Sequence, residues 1–290
     1  MEPEIAMKLA IGAFVPGVAA AIAFFVLWRR TSDVRAHPAG SWIGEAFAAA
    51  PAIIAGFFAV LGGFSSAPKS SDQLMPYVAA GAIAASMLAS AMRTSGARIS
   101  IGFVFGALVL GVMTAMQTPM VGRWAAWEQG LLLFVTSFIG AATIVHAIGV
   151  VQQVNARLGA FTMMTLAAIA AQVIVLCFSS LKLGQLAGVI AALFGGMFVV
   201  TLVRPNARIM GSSIVSGFTV LVITMMQGVL YGEPALRHAV WPAMALPAGA
   251  IFASITAKVM HARPHGAVKW IAVIASAAGP GVVSLVLCRG

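Results

Sequence analysis

Acidic side chains are nearly missing from this chain: seven Asp and Glu stand in 290 residues, against 17 Lys and Arg. Charged residues of every kind make up 8% of the sequence and apolar residues 61%, for a mean hydropathy of +1.02. No soluble globular class has this balance, because so few ionised groups cannot keep a folded surface in water. The same scarcity excludes the carboxylate clusters with which membrane transferases and phosphatases hold divalent metals. Cysteine is scarce too: Cys177 and Cys288 are the only two, so no thiolate metal framework can be assembled. A disulfide between them is one reading. Two isolated buried thiols, the common behaviour of cysteine in an apolar interior, is the preferred one. HExxH, Walker A and GxSxG patterns are missing, which leaves an enzyme little to rest on. Long polar stretches are missing as well, the longest loops being about 13 residues, too short for a soluble domain.

What is present is apolar and comes in runs. About ten can be drawn, at 5–28, 42–64, 74–92, 99–117, 130–150, 158–178, 186–203, 209–231, 243–260 and 271–288, each near the length a membrane-spanning helix needs. The sequence thus predicts an all-α integral membrane protein, a single polytopic unit over 1–290. The net charge of +10 does not point to nucleic acid, because the basic residues fall singly and in pairs between the runs. One set of alternate loops holds Arg29, Arg30, Arg35, Arg93, Arg98, Arg157, Arg204, Arg208, Lys258, Arg263 and Lys269, eleven in all. The other set holds Lys8, Lys69, Arg123, Lys182, Arg237 and Arg289, six in all. Eleven against six predicts an N-out, C-out topology with the arginine-rich loops cytoplasmic, in a cell membrane of the bacterial inner-membrane type. The first run is not expected to be a cleavable signal, because Met1-Glu2-Pro3-Glu4 before it is acidic and Arg29-Arg30 follow it.

The chain also repeats itself. Ala97-Arg98-Ile99 opens a run that closes on Val112, Thr114, Met116 and Gln117, and Ala207-Arg208-Ile209 opens another that closes on Val222, Thr224, Met226 and Gln227. At this constant offset of 110, seven of 21 aligned positions are identical. Phe64-Ser65-Ser66, Lys69 and Gln73-Leu74 recur as Phe178-Ser179-Ser180, Lys182 and Gln185-Leu186; Trp127 recurs as Trp241 and His146-Ala147 as His261-Ala262. The second to fifth runs therefore match the sixth to ninth, in repeats of about 37–155 and 156–268. The first run (5–28) and the tenth (271–288) flank them, the tenth resembling the start of a third copy: a 1+4+4+1 layout. A four-helix unit is even, so this duplication is parallel, related by an axis along the membrane normal. In size and helix number the chain is similar to ten-helix transporters of the drug/metabolite type. Those are five plus five inverted with both ends inside, and repeat length and topology set this chain apart from them.

The most specific polar signal is the pair of pairs Thr114/Gln117 and Thr224/Gln227, each on one helical face near the outer boundary. With the serines that close the second and sixth runs they predict a two-fold ring of hydroxyls and amides, a site for a small neutral or weakly anionic solute. The alternative is that these groups cap helices and bond between them. Gln172, in the sixth run, is a lone amide at membrane depth and a further substrate-site candidate. His146 and His261 are weak candidates for holding a haem or metal between repeats, with interfacial placement preferred, so no cofactor is expected. Glu45 suits the first turn of a helix, with ion coupling as its alternative. Lys258 is read as a snorkelling topology residue. Pro16, Pro51, Pro247 and Pro280 interrupt their runs, as kinks or as the edges of a site. The functional expectation is a small-solute permease. The alternative is a non-catalytic structural or assembly subunit of a larger membrane complex. Expected partners are the bilayer, a small polar solute and further protein subunits or copies, and no nucleic acid.

Overall fold

The computed structural model describes residues 14–26, 38–62, 71–91, 141–204, 209, 211–231, 236–261 and 266–289. Among them the chain is helical throughout, without strands. The helices are α1 (Phe14–Val26), α2 (Pro38–Leu61), α3 (Ser71–Ala91), α4 (Ala141–Val154), α5 (Ala156–Phe178), α6 (Leu181–Val203), α7 (Gly211–Tyr231), α8 (Leu236–Val259) and α9 (Gly266–Arg289). Three of them are long and apolar enough to cross a membrane: Ala156–Phe178, Leu181–Val203 and Gly266–Cys288. The molecule is thus an all-helical protein compatible with a multi-pass membrane protein. The run expected at 99–117 lies outside the described residues.

Several helices begin earlier than their apolar runs: α2 at Pro38, α6 at Leu181, α8 at Leu236 and α9 at Gly266. Hydropathy marks the hydrocarbon, whereas a helix continues as long as its end groups find partners. At α5, Asn155 is the N-cap, with extended φ −162° and ψ 121°, and its side-chain oxygen accepts from the Leu158 N–H at 3.1 Å. A single residue therefore separates α4 from α5, where a longer loop was expected. At the other end Ser179 takes a left-handed φ of 53° and Ser180 caps α6, accepting from the Leu183 N–H. The repeated Ser-Ser pair is here a two-residue corner.

The helix at the centre is α7. Residues 213–229 are buried all round, apart from half-buried Val215 and Thr219, and α2, α3, α4, α5, α6 and α8 all pack on it. In lipid, helices are held by close van der Waals fit, so small residues seat large ones. A Cβ on Gly217 would lie 2.6 Å from Phe194 Cζ, so glycine there admits a ring that also stacks on Phe218 with centroids 5.2 Å apart. Gly228 likewise seats the Phe178 ring. Across α1 and α6 the backbones themselves meet, where Gly196 faces the Gly17 carbonyl.

Different contacts hold the two ends of the bundle. At one, Arg157 Nε donates to the Thr201 carbonyl at 3.0 Å, tying the start of α5 to the end of α6. Beside it the Arg204 guanidinium lies 4.4 Å above the Phe25 ring at the end of α1. Phe161, Phe198 and Trp270 join α5, α6 and α9 near the same end, with centroids 5.1 to 6.5 Å apart. At the opposite end Cys177, last turn of α5, is disulfide-bonded to Cys288, last turn of α9, with Cα atoms 5.4 Å apart. This corrects the expectation of two isolated thiols. The pairing was hidden because 111 residues separate the cysteines and only the parallel alignment of α5 and α9 brings their last turns together.

Candidate functional site

The polar groups inside the described bundle are uncharged. Gln152, Thr162, Thr201, Ser213, Ser216, Thr224, Gln227 and Ser284 are the buried polar residues, and no charged residue is buried among the described ones. Four of the eight belong to α7. Ser213, Ser216, Thr224 and Gln227 fall on one side of that helix, at steps of three, eight and three residues. They form a polar stripe along an otherwise apolar core.

The hydroxyls of the stripe bond to their own helix. Ser216 Oγ donates to the Ser213 carbonyl at 3.2 Å, and Thr224 Oγ1 to the Val220 carbonyl at 2.8 Å. Each oxygen keeps lone pairs that can accept from a ligand. Gln227 lies one turn further toward the disulfide end, 3% exposed, beside the Gly228 seat of Phe178. Its amide supplies both a donor and an acceptor. Thr224 and Gln227 thus stand together inside the bundle. Thr114 and Gln117, the other half of the expected ring, lie outside the described residues.

Gln172 is separate from this pair. It is exposed on α5, while Ala170, Val173 and Ile174, on the sides turned to the bundle, are buried. Both weak cofactor candidates are exposed as well. His146 lies eight residues before the end of α4, roughly 12 Å of helix, whereas His261 follows the end of α8 in a turn. The two residues thus stand at different distances from their helix ends. Among the described residues no group of three or more His, Cys, Asp or Glu could hold a metal ion. Lys258 is exposed in the last turn of α8, at the end of the bundle opposite the disulfide. Glu45 lies within α2, and Glu128 lies outside the described residues.

Two features had little signal in the sequence. Gln152, near the end of α4, is 8% exposed and packs against Gly159; among the described residues its Nε2 has no hydrogen-bond partner. Ser284 of α9 is buried and donates to carbonyls of Trp241 (3.2 Å) and Pro280 (2.8 Å), bridging α8 and α9. No known protein family, curated protein or solved structure matches this chain.

Proposed function

We propose that the protein is a small-solute permease for a neutral or weakly anionic substrate, working in a cell membrane of the bacterial inner-membrane type. The observation that carries this reading is the placement of Thr224 and Gln227: a hydroxyl and an amide side by side on the helix most enclosed by others. An uncharged donor–acceptor pair in a low-dielectric interior recognises a polar solute by hydrogen bonds and holds no compensating charge for a cation. Thr114 and Gln117, the matching groups of the first repeat, complete the proposed site. Gln172 is not part of it, and no cofactor is needed.

The fuller architecture belongs to the same proposal: ten spans in a 1+4+4+1 layout, helices two to five duplicated in parallel as six to nine, both ends outside. One feature of the bundle supports the orientation: the disulfide at the end where α5 and α9 finish agrees with an oxidising compartment on that side. A thiol placed at Ser66→Cys should be labelled by an impermeant maleimide from intact cells, and one at Arg98→Cys only after permeabilisation. Equal labelling of both would end the topology.

The test of function is the double change Gln117→Leu with Gln227→Leu. Leucine is at home in lipid, so insertion and yield should persist while uptake falls by roughly tenfold or more, the effect of losing hydrogen bonds to the solute. One observation favours the alternative, a structural subunit: the hydroxyls of α7 are already bonded within their helix and its glycine seats are filled by phenylalanine rings. On that reading the double variant transports normally and melts at a lower temperature.

A further inference from the structure

Most side chains facing outward from the described helices are apolar, as a surface in lipid requires; Gln172 is the exception on α5. This helix is long and apolar enough to span a membrane. Its outward residues form one narrow stripe, Ala168, Gln172 and Leu176, spaced four apart. On one flank Ala171 and Val175 meet Gly184 of α6; on the other Ile169 meets Gly281 of α9 and Cys177 is bonded to Cys288. The stripe is therefore the floor of the interval between α6 and α9, and the amide sits at its middle. Gln172 is six residues, about 9 Å of helix, before the end of α5, well inside the hydrocarbon. No hydrogen bond joins its side chain to any described residue. Acyl chains offer neither a donor nor an acceptor, so an amide held there has a strong preference for a polar partner.

We propose that a second copy of this chain packs across the α5 stripe, with the two Gln172 amides hydrogen-bonded to each other about a two-fold axis. The chemistry favours a copy over a different protein because a primary amide is self-complementary: it carries the donor and the acceptor that its own image needs. Ala168, one turn away, leaves room for the close backbone approach that such pairs use. The proposal rests on α5 spanning the membrane and is independent of whether the protein transports anything.

The experiment uses the full chain, its native disulfide intact, in phosphatidylcholine vesicles at a series of protein-to-lipid ratios, with association read by energy transfer between labelled copies. The wild type should dimerise. Gln172→Leu should need about tenfold more protein for the same association, the loss of a pair of interhelical amide bonds, while Gln172→Asn keeps most of it. A bis-maleimide should link Ala168→Cys into dimers and leave Val283→Cys, exposed on α9, unlinked. A wild type that stays monomeric at every ratio, a Gln172→Leu protein that associates as before, or equal linking at both positions overturns the proposal. So does a Gln172→Leu protein whose melting temperature falls with association unchanged, which assigns the amide to the fold of one copy.

Discussion

At the scale of single residues, the bundle places three glutamines in three different surroundings. Gln227 is enclosed beside Thr224, Gln172 faces outward, and Gln152 is enclosed with its Nε2 unbonded. Recurrence in register marks Gln227, because a polar match between two apolar runs stands above chance agreement; Gln172 is marked only by its place within an apolar run, and Gln152 by nothing. A spanning helix is apolar on every side, so periodicity cannot say which side meets lipid and which meets protein. An amide buried without a partner destabilises, which makes Gln152 a site for improvement. Gln152→Met, close in volume, should raise stability by about 1 kcal/mol, seen as a higher melting temperature in detergent. An unchanged or lower melting temperature would show that the amide is bonded in the folded protein.

At the scale of elements, each described helix overlaps an apolar run of the sequence, and the departures lie at the helix ends. Asn155 and the Ser179-Ser180 corner shorten the connections around α5 because side-chain oxygens and one left-handed residue satisfy the terminal backbone groups within a residue or two. Packing partners were less legible. In the proposed parallel duplication α2 and α3 correspond to α5 and α6, and each of these pairs does pack together. Yet α2 also packs on α6, while α3 and α5, the equivalent pair, do not pack closely. Contacts between helices depend on where glycines permit approach, and those positions are not repeated between copies. Gly196 shows the effect: a side chain there would strike the Gly17 carbonyl, part of a backbone that cannot step aside as a rotamer would. Gly196→Val should therefore cost about 1–3 kcal/mol, the usual range for overpacking. Because α1 would be pushed from α6, the loss should appear together with faster proteolysis at the α1 end. A variant as stable as the wild type would mean that α1 is not held there.

At the scale of the whole molecule, the sequence leaves a disulfide and two separate thiols both open, and the fold decides for the disulfide. The bond closes a stretch of 111 residues containing α6, α7 and α8. Removing it with Cys177→Ser and Cys288→Ser should cost roughly 2–4 kcal/mol of stability. Reductant should reproduce that loss in the wild type and leave the double variant unchanged. Thiol labelling of denatured wild type should find free cysteine only after reduction.

On the proposed permease reading the chain needs parts that move and parts that do not, and α7 is suited to stand still. Six neighbours press on it from every direction, so displacing it would disturb every interface at once, whereas α1 and α9 present broad outer faces and can tilt at smaller cost. The disulfide ties α9 to the end of α5, itself packed on α6 and α7, so α9 is anchored at that end and freer at the other. On the proposed reading the polar stripe lies on the fixed helix, and access to it opens and closes by motion around it.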